Sequence, residues 1–489
     1  MVVRWSIGAS AYAPAVARPR PNVLFITVDQ FRADSLSCAG HAVVRTPAID
    51  ELARDGVRFA RHYSQAAPCA PGRAALYTGT YQFNNRVVFN GSPLDDRLDN
   101  VARMARRIGY EPALFGYTDQ GVDPRTVEPD DPRLQTYEGV LPGFDCVVDL
   151  TGRREAWARH VRAAGFEIPE DPDEALATES LRPSEVGISA FLTGEFVHWV
   201  AAQDGPWFAH LSHLRPHPPF AAAGAWSTAY DPASVGLPAP AGEPAHELHS
   251  MLLESPHFAA PADEAGLRAM RAQYFGMIGD VDEQLGRVWQ ALRDAGQWDD
   301  TIVVLASDHG EQLGDNGLRE KMGWFEPSFH VPFIVRDPRR PEGAGHVVEE
   351  FTENVDLLPT LCDLLGTDIP RQCDGRSLVP FLERRTPDGW RDAAHWEFDW
   401  RLFRPGATMA DWPEDRRGAR HSLTVRRTAD TAFVQFADGR SLLYDTVADP
   451  HWSAPIDDPA RELEQARGML VWRSEHTDRT LTGQFLLPR

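Results

Sequence analysis

Three short stretches of this 489-residue sequence bring together side chains that could do chemistry. Cys69-Ala-Pro-Gly-Arg73, continuing Ala-Ala-Leu-Tyr-Thr78-Gly79, places a cysteine at the start of a predicted helix, with Pro71 in the first turn and an arginine one turn on. Proline is pre-organised for that turn, and Gly79 reads as the stop. The free N–H groups and partial positive charge of a helix N-terminus suit an anion or a thiolate. Asp29-Gln30 and Asp308-His309 each follow an apolar run, which puts two ligand-capable groups at a predicted strand end. An acid after a strand also fits a turn or helix cap. Together, and with Ser307-Asp-His-Gly-Glu-Gln-Leu-Gly-Asp315 uninterrupted, the two pairs read as a site for a hard divalent cation, and the histidine widens the choice to manganese or zinc.

One lysine, Lys321, stands among 49 lysine and arginine residues. A position that stays lysine under such a bias fits a need for a compact ammonium whose proton can be tuned; chance survival on a solvated face would leave the same residue.

A chain of this length calls for a large domain plus a smaller one. With 43% hydrophobic and 25% charged residues it reads as a soluble globular enzyme. The formal charge of −22 argues against nucleic acid or an anionic membrane as partner, so an anionic substrate must be drawn in by a local positive site such as a metal. Five cysteines, Cys38, Cys69, Cys146, Cys362 and Cys373, include no Cys-x-x-Cys pair. That favours a reducing compartment over a disulfide framework or a thiolate zinc site. Residues 1–20 lack an unbroken apolar stretch and read as an N-terminal extension rather than a secretory signal; no run approaches transmembrane length, and a cytoplasmic location is expected.

The elements that must position these residues follow from the pattern. Strands are predicted at 22–28, 57–63, 112–117, 207–213, 301–307 and 331–336, alternating with helices at 46–53, 69–78, 98–109, 189–203, 263–296 and 354–365. Thr46 is the expected N-cap of the first helix. Residues 119–185, rich in Pro, Asp and Glu with one helical patch near 153–164, read as a surface excursion, and 216–243 as a loop. The alternation implies an α/β fold with a mostly parallel sheet and helices on both faces; sites in such sheets lie at the carboxyl ends of the strands, where Asp29, Tyr117, His213 and Asp308 sit. From about 396 onward, short strands at 422–426, 432–436 and 441–444 and a helix at 459–476 predict a small antiparallel α+β domain. The expected division is thus 1–20, 21–395 and 396–489.

Cys-x-Pro-x-Arg followed by Leu-x-Thr-Gly resembles the formylglycine signature of the sulfatases. The order Asp-Gln, Cys-x-Pro-x-Arg, Asp-His-Gly-Glu is similar, over nearly the whole chain, to the sulfatase branch of the alkaline-phosphatase superfamily. Val28-Asp-Gln-Phe-Arg-Ala-Asp34, Asp123-Pro-Arg-Thr126, Arg215-Pro-His-Pro-Pro-Phe220, Gly296-Gln-Trp-Asp-Asp300, Cys373-Asp-Gly-Arg-Ser-Leu378 and His476-Thr-Asp-Arg-Thr-Leu481 narrow the likeness to bacterial phosphonate monoester hydrolases, which are also phosphodiesterases and weaker arylsulfatases.

The resemblance implies an alkaline-phosphatase-like fold and conversion of Cys69 to formylglycine (3-oxoalanine) by a formylglycine-generating enzyme. It also implies one divalent cation held by Asp29, Gln30, Asp308, His309 and the oxygen at position 69. Manganese or calcium is expected, with zinc or magnesium as alternatives. The aldehyde hydrate attacks phosphorus or sulfur, and the resulting hemiacetal breaks by C–O cleavage. Arg73, His217 and Lys321 join Cys69 as catalytic residues, His217 and Lys321 neutralising or protonating the leaving oxygen. Asn90, by itself a turn former in Phe89-Asn-Gly91, matches a substrate-contact position. Where typical sulfatases carry Gly-Lys-Trp-His, this chain has Gly116-Tyr117-Thr118-Asp119. Tyr117 in the lysine slot matches the phosphonate hydrolases, where threonine is expected at position 119. Asp119 would repel a bound anion, act as a base, or cap its loop and point away.

The expected activity is hydrolysis of phosphonate monoesters and phosphodiesters, with promiscuous action on sulfate esters. The substrate is a small anionic ester, and the expected assembly a homo-oligomer such as a tetramer. The alternatives are an arylsulfatase or other sulfuric ester hydrolase, a phosphomonoesterase with an unmodified nucleophile, and an inactive metal-bound scaffold.

Overall fold

A computed structural model describes residues 20–136, 138–403 and 420–477. Residues 1–19 of the expected extension and the end of the 476–481 motif lie outside the described residues.

The large sheet contains β1 (Asn22–Val28), β2 (Val57–Tyr63), β3 (Ala113–Gly116), β4 (Asp145–Asp149), β5 (Phe208–His213), β6 (Thr301–Ala306), β7 (Phe333–Arg336) and β8 (His346–Glu353). Their order is β4-β3-β5-β1-β6-β7-β2-β8, and every pairing is parallel except the two made by β7. The central strand β1 is buried on both faces and splits its apolar residues by the period of two. Leu24, Ile26 and Val28 pack with Met277, Ile278, Val281 and Leu285 of the long helix Glu264–Asp294. Val23 and Phe25 pack with Ala74, Leu76 and Tyr77 of the helix Cys69–Thr78. Helices therefore cover both faces, as the alternation requires, and β1 and β6 end side by side at Asp29 and Asp308.

Several elements differ from the sequence reading. Thr46 precedes the helix Pro47–Asp55 but does not cap it; Asp282 on the long helix accepts from the N–H groups of Ala48 (3.1 Å) and Ile49 (2.8 Å) instead. The helix expected from 98 starts at Val101, because Asn100 takes the N–H groups of Ala102 and Arg103. Part of the supposed surface excursion is structural: β4 adds an edge strand to the sheet, and Glu179 is buried. β8 and the helix Glu247–Glu254 carried no recognised pattern.

The second sheet, in the order β12-β11-β10-β9, is antiparallel and contains β9 (Ala394–Asp399), β10 (Ser422–Arg427), β11 (Thr431–Phe436) and β12 (Ser441–Asp445). One face packs against the helix Pro459–Glu475 through Phe433, Leu443, Met469 and Trp472. The other stacks Trp396 on Tyr63 at 5.6 Å and on Phe329 at 5.0 Å. Glu397 in β9 donates its N–H to the Gln65 carbonyl (2.9 Å), so this sheet braces the segment leading into Cys69. Among the described residues no helix is long and apolar enough to cross a membrane.

Candidate active site

The helix Cys69–Thr78 is pressed against the segment that follows β6. A side chain at Gly72 would meet the Asp308 carbonyl at 2.6 Å and that of Ala66 at 2.9 Å, so only glycine allows this approach. At the other end Gly79, at φ 68°, closes the helix with an N–H to the Ala75 carbonyl, as expected. The Ala70 N–H, free at the helix start, is taken by Asn90 Oδ1 (3.0 Å), which brings Asn90 beside Cys69. Gln120 Nε2 holds the Ala70 carbonyl (3.0 Å).

Ligand atoms of Asp29, Cys69, Asp308 and His309, all buried, lie within 4.8 Å of one another. His309 Nδ1 donates to the Gly310 carbonyl (3.0 Å), which turns Nε2 toward Cys69 Sγ at 3.2 Å. Asp29 Oδ1 is buried without a hydrogen-bond partner. An orphaned carboxylate oxygen facing a second carboxylate and an imidazole nitrogen fits a divalent cation. Gln30, at φ 65°, stands at the edge of this group. Its Oε1 accepts from Lys321 Nζ (2.7 Å), while its Nε2 donates to Glu311 and, at 3.3 Å, to Glu320.

Arg73 is completely buried. Its Nε donates to Asp308 Oδ2 (2.9 Å) and one terminal nitrogen to Asp29 Oδ2 (3.0 Å). The other terminal nitrogen reaches Tyr77 Oη (3.1 Å), the Tyr117 carbonyl (3.2 Å) and Ser212 Oγ (3.0 Å). Tyr117 donates its hydroxyl to Asp29 Oδ2 (2.6 Å), and its ring lies 4.4 Å from the guanidinium. Behind them, His210 Nδ1 donates to the Phe25 carbonyl (3.2 Å), so Nε2 accepts from Tyr77 Oη (3.0 Å) and leaves the phenol oxygen free to receive Arg73.

Lys321 forms the opposite wall, with Nζ 3.1 Å from His217 Nε2 and 3.2 Å from Glu320 Oε2. His217 Nδ1 donates to the Pro218 carbonyl (2.7 Å), so its Nε2 lone pair faces the ammonium. The facing side chains are nearly closed off from solvent: Cys69 keeps 4% of its surface, Lys321 5% and Asp119 6%.

The charges follow from this packing. Burial opposes ionisation of Asp29, but the positive charges around it, those of Arg73 and Lys321 among them, hold it well below the usual carboxylate range. Burial lowers His217 to about 4, helped by Lys321. Burial works against the Lys321 ammonium, yet its acidic neighbours, Glu320 and Asp29 among them, keep it well above the usual lysine range. Asp119, 3.9 Å from Arg73 Nε, is pushed by burial up to about 7 despite the arginine. Burial, reinforced by Asp29, also raises the Cys69 thiol, which works against the thiolate that a helix N-terminus would favour.

Asp29, Gln30, Cys69, Arg73, Asn90, Tyr117, Asp119, His217, Asp308, His309 and Lys321 are thus linked into one site, with the Gln30 carbonyl oxygen engaged by Lys321; His213 makes no side-chain hydrogen bond to it. Glu311, Glu320, Tyr77, His210, Ser212 and Gln120 were not assigned. Three of them carried a signal: Tyr77 lies four residues after Arg73 on one helix face, and His210 and Ser212 share one face of β5.

The sulfatase family pattern matches residues 21–367, and the C-terminal pattern of N-sulphoglucosamine sulphohydrolase matches residues 314–453. The chain is 37% identical to the multifunctional alkaline phosphatase superfamily protein PehA of Trinickia caryophylli, over 95% of this chain and 97% of that one. It is 29% identical to a choline-sulfatase of Rhizobium meliloti over 75% of this chain and 73% of that one. The crystal structure of a phosphonate monoester hydrolase of Agrobacterium radiobacter superposes with a TM-score of 0.87 at 42% identity, covering 95% of this chain and 97% of that one. A phosphonate monoester hydrolase from Silicibacter pomeroyi superposes with a TM-score of 0.84 at 35% identity, with the same coverage. Matched by the family pattern over residues 21–367 and by these relatives along nearly its whole length, the chain is an ester-bond hydrolase that belongs to the sulfatase family.

Proposed function

We propose that the chain hydrolyses phosphonate monoesters and phosphodiesters, with slower hydrolysis of sulfate esters in the same site, after Cys69 has been oxidised to formylglycine by a formylglycine-generating enzyme. The observation that carries the reading is the likeness, along nearly the whole of both chains, to two phosphonate monoester hydrolases. Tyr117 agrees with it: the position offers Asp29 a phenol rather than offering the substrate an ammonium. Asp119 favours singly charged esters, because a carboxyl beside Arg73 disfavours a second negative charge on the substrate.

Asp29, Asp308, His309 and the oxygen at position 69, with Gln30 beside them, would hold one divalent cation, manganese or calcium with zinc or magnesium as alternatives, which supplies Lewis-acid polarisation of the ester and favours an ionised nucleophile. Arg73 fixes the two ligand carboxylates and adds a positive charge behind the nucleophile. Asn90 binds the helix start and offers the rest of its amide to the ester oxygens. Lys321 gives its proton to the departing alkoxide, and His217, which cannot donate through Nε2 in this tautomer, holds the ammonium in place.

The test is a panel of aryl phosphonate, phosphodiester, phosphomonoester and sulfate esters on metal-defined enzyme, with mass spectrometry of the peptide carrying position 69. The phosphonate and diester are expected to give the highest kcat/KM, and the peptide to carry the aldehyde. A phosphomonoester ranked first, or an intact thiol in fully active protein, would overturn the reading. A sulfate ester ranked first would favour the second reading, a sulfuric ester hydrolase, which the match to the choline-sulfatase supports.

A further inference from the structure

Arg215 and Glu179 form a buried ion pair outside the nucleophile pocket, each with 1% of its side chain exposed. Arginine has five N–H donors in a rigid fork, and here all five are used. Nε donates to Glu179 Oε2 at 2.8 Å, and one terminal nitrogen to the same carboxylate and to the Leu176 carbonyl (3.0 Å). The other terminal nitrogen donates to the carbonyls of His217 (2.8 Å) and Pro219 (2.9 Å). The carbonyl between those two, that of Pro218, receives His217 Nδ1. The arginine therefore pins the peptide groups on either side of the one that sets the tautomer and direction of the His217 ring. Glu179 is itself anchored, its other oxygen accepting the Ile188 N–H (2.7 Å) at the start of the helix Ile188–Val200.

We propose that Arg215 and Glu179 are positioning residues for His217: the pair holds the 215–219 turn so that Nε2 presents its lone pair to Lys321, and through Lys321 it governs proton delivery to poor leaving groups. Lysine at 215 would be a point charge with three donors and could not reach the carboxylate and both carbonyls together. The inference rests on the proposed role of Lys321 and His217 in leaving-group departure.

The test compares His217→Ala, Arg215→Lys and the combination of the two on alkyl and nitrophenyl esters of one phosphonate. The double variant Glu179→Leu with Arg215→Met removes both charges together, so no unpaired ion is left buried. Arg215→Lys and the charge-free pair are expected to lose roughly 10²-fold on the alkyl ester, the scale of a small misplacement, and much less on the nitrophenyl ester, with KM little changed. In the His217→Ala background neither is expected to cost more. Equal loss on both esters, or full additivity with His217→Ala, overturns the positioning role and leaves the function of His217 standing. No leaving-group selectivity in His217→Ala itself removes the underlying reading, and the positioning role with it.

Discussion

On one flank of Cys69, Arg73 is fully buried and each of its three guanidinium nitrogens donates to protein atoms, drawn from β5, its own helix and the segments that follow β1, β3 and β6. On the other flank, Lys321 arrives on a loop in which Leu313, Asn316 and Glu320 all take positive φ, and its partners are an amide, a carboxylate and an imidazole. A guanidinium bound at every nitrogen cannot follow a moving substrate; it is a fixed charge beside Cys69. An ammonium with exchangeable partners can turn to a departing oxygen and release a proton. The left-handed residues that aim it are sparsely populated conformations of the sort that structure tolerates where function needs them.

The largest expected effect breaks the fixed flank. Asp308→Asn removes an anionic ligand and the partner of Arg73 Nε. Bound metal, read by atomic spectroscopy, should fall, and turnover should drop by on the order of 10³-fold or more for every leaving group alike. Retained metal with wild-type rates would place the chemistry elsewhere. Lys321→Met tests the other flank and should cost roughly 10²–10⁴-fold on alkyl esters and markedly less on activated aryl esters. Lys321→Arg should not rescue it, since a planar guanidinium cannot take the place of a compact ammonium among Gln30, Glu320 and His217. A loss equal across leaving groups would make Lys321 a binding residue and erase the contrast between the flanks.

A smaller effect sharpens the comparison on the Arg73 side. Asp119→Thr should raise phosphomonoester hydrolysis relative to diester by about tenfold at most, the scale of one partly screened charge. An unchanged ratio would mean that Asp119 does not face the substrate. The smallest effect concerns stability. Burial lifts Asp119 from an ordinary 3.8 to about 7 in the folded state, so the fold binds more protons than the unfolded chain between those values. Its contribution is complete below about pH 4 and is lost as pH rises through 7. In metal-stripped protein, Asp119→Thr should therefore flatten the fall in Tm between pH 4 and pH 7; an identical slope would assign that fall to other groups.

Sequence alone determined the identity of the chemistry-bearing groups and the strands and helix that carry most of them. Asp29 after an unbroken apolar strand, Cys69 ahead of a proline and Asp308 ahead of His309 are local patterns, and local patterns survive in one dimension. Tertiary structure alone decided what each group faces. Thr46 looked like a cap, yet Asp282, more than two hundred residues away, fills that role because packing of the long helix brings it there. The Cys69 helix start favoured a thiolate in isolation, but burial beside Asp29 outweighs the partial charge of one helix end. Glu179 read as part of an acidic surface and is instead buried against Arg215, since an ion pair closed over long range leaves no mark in the spacing of either residue. Periodicity reports which residues turn inward; the meeting of their side chains depends on how the strands are ordered, and that order is fixed only when the whole sheet is assembled.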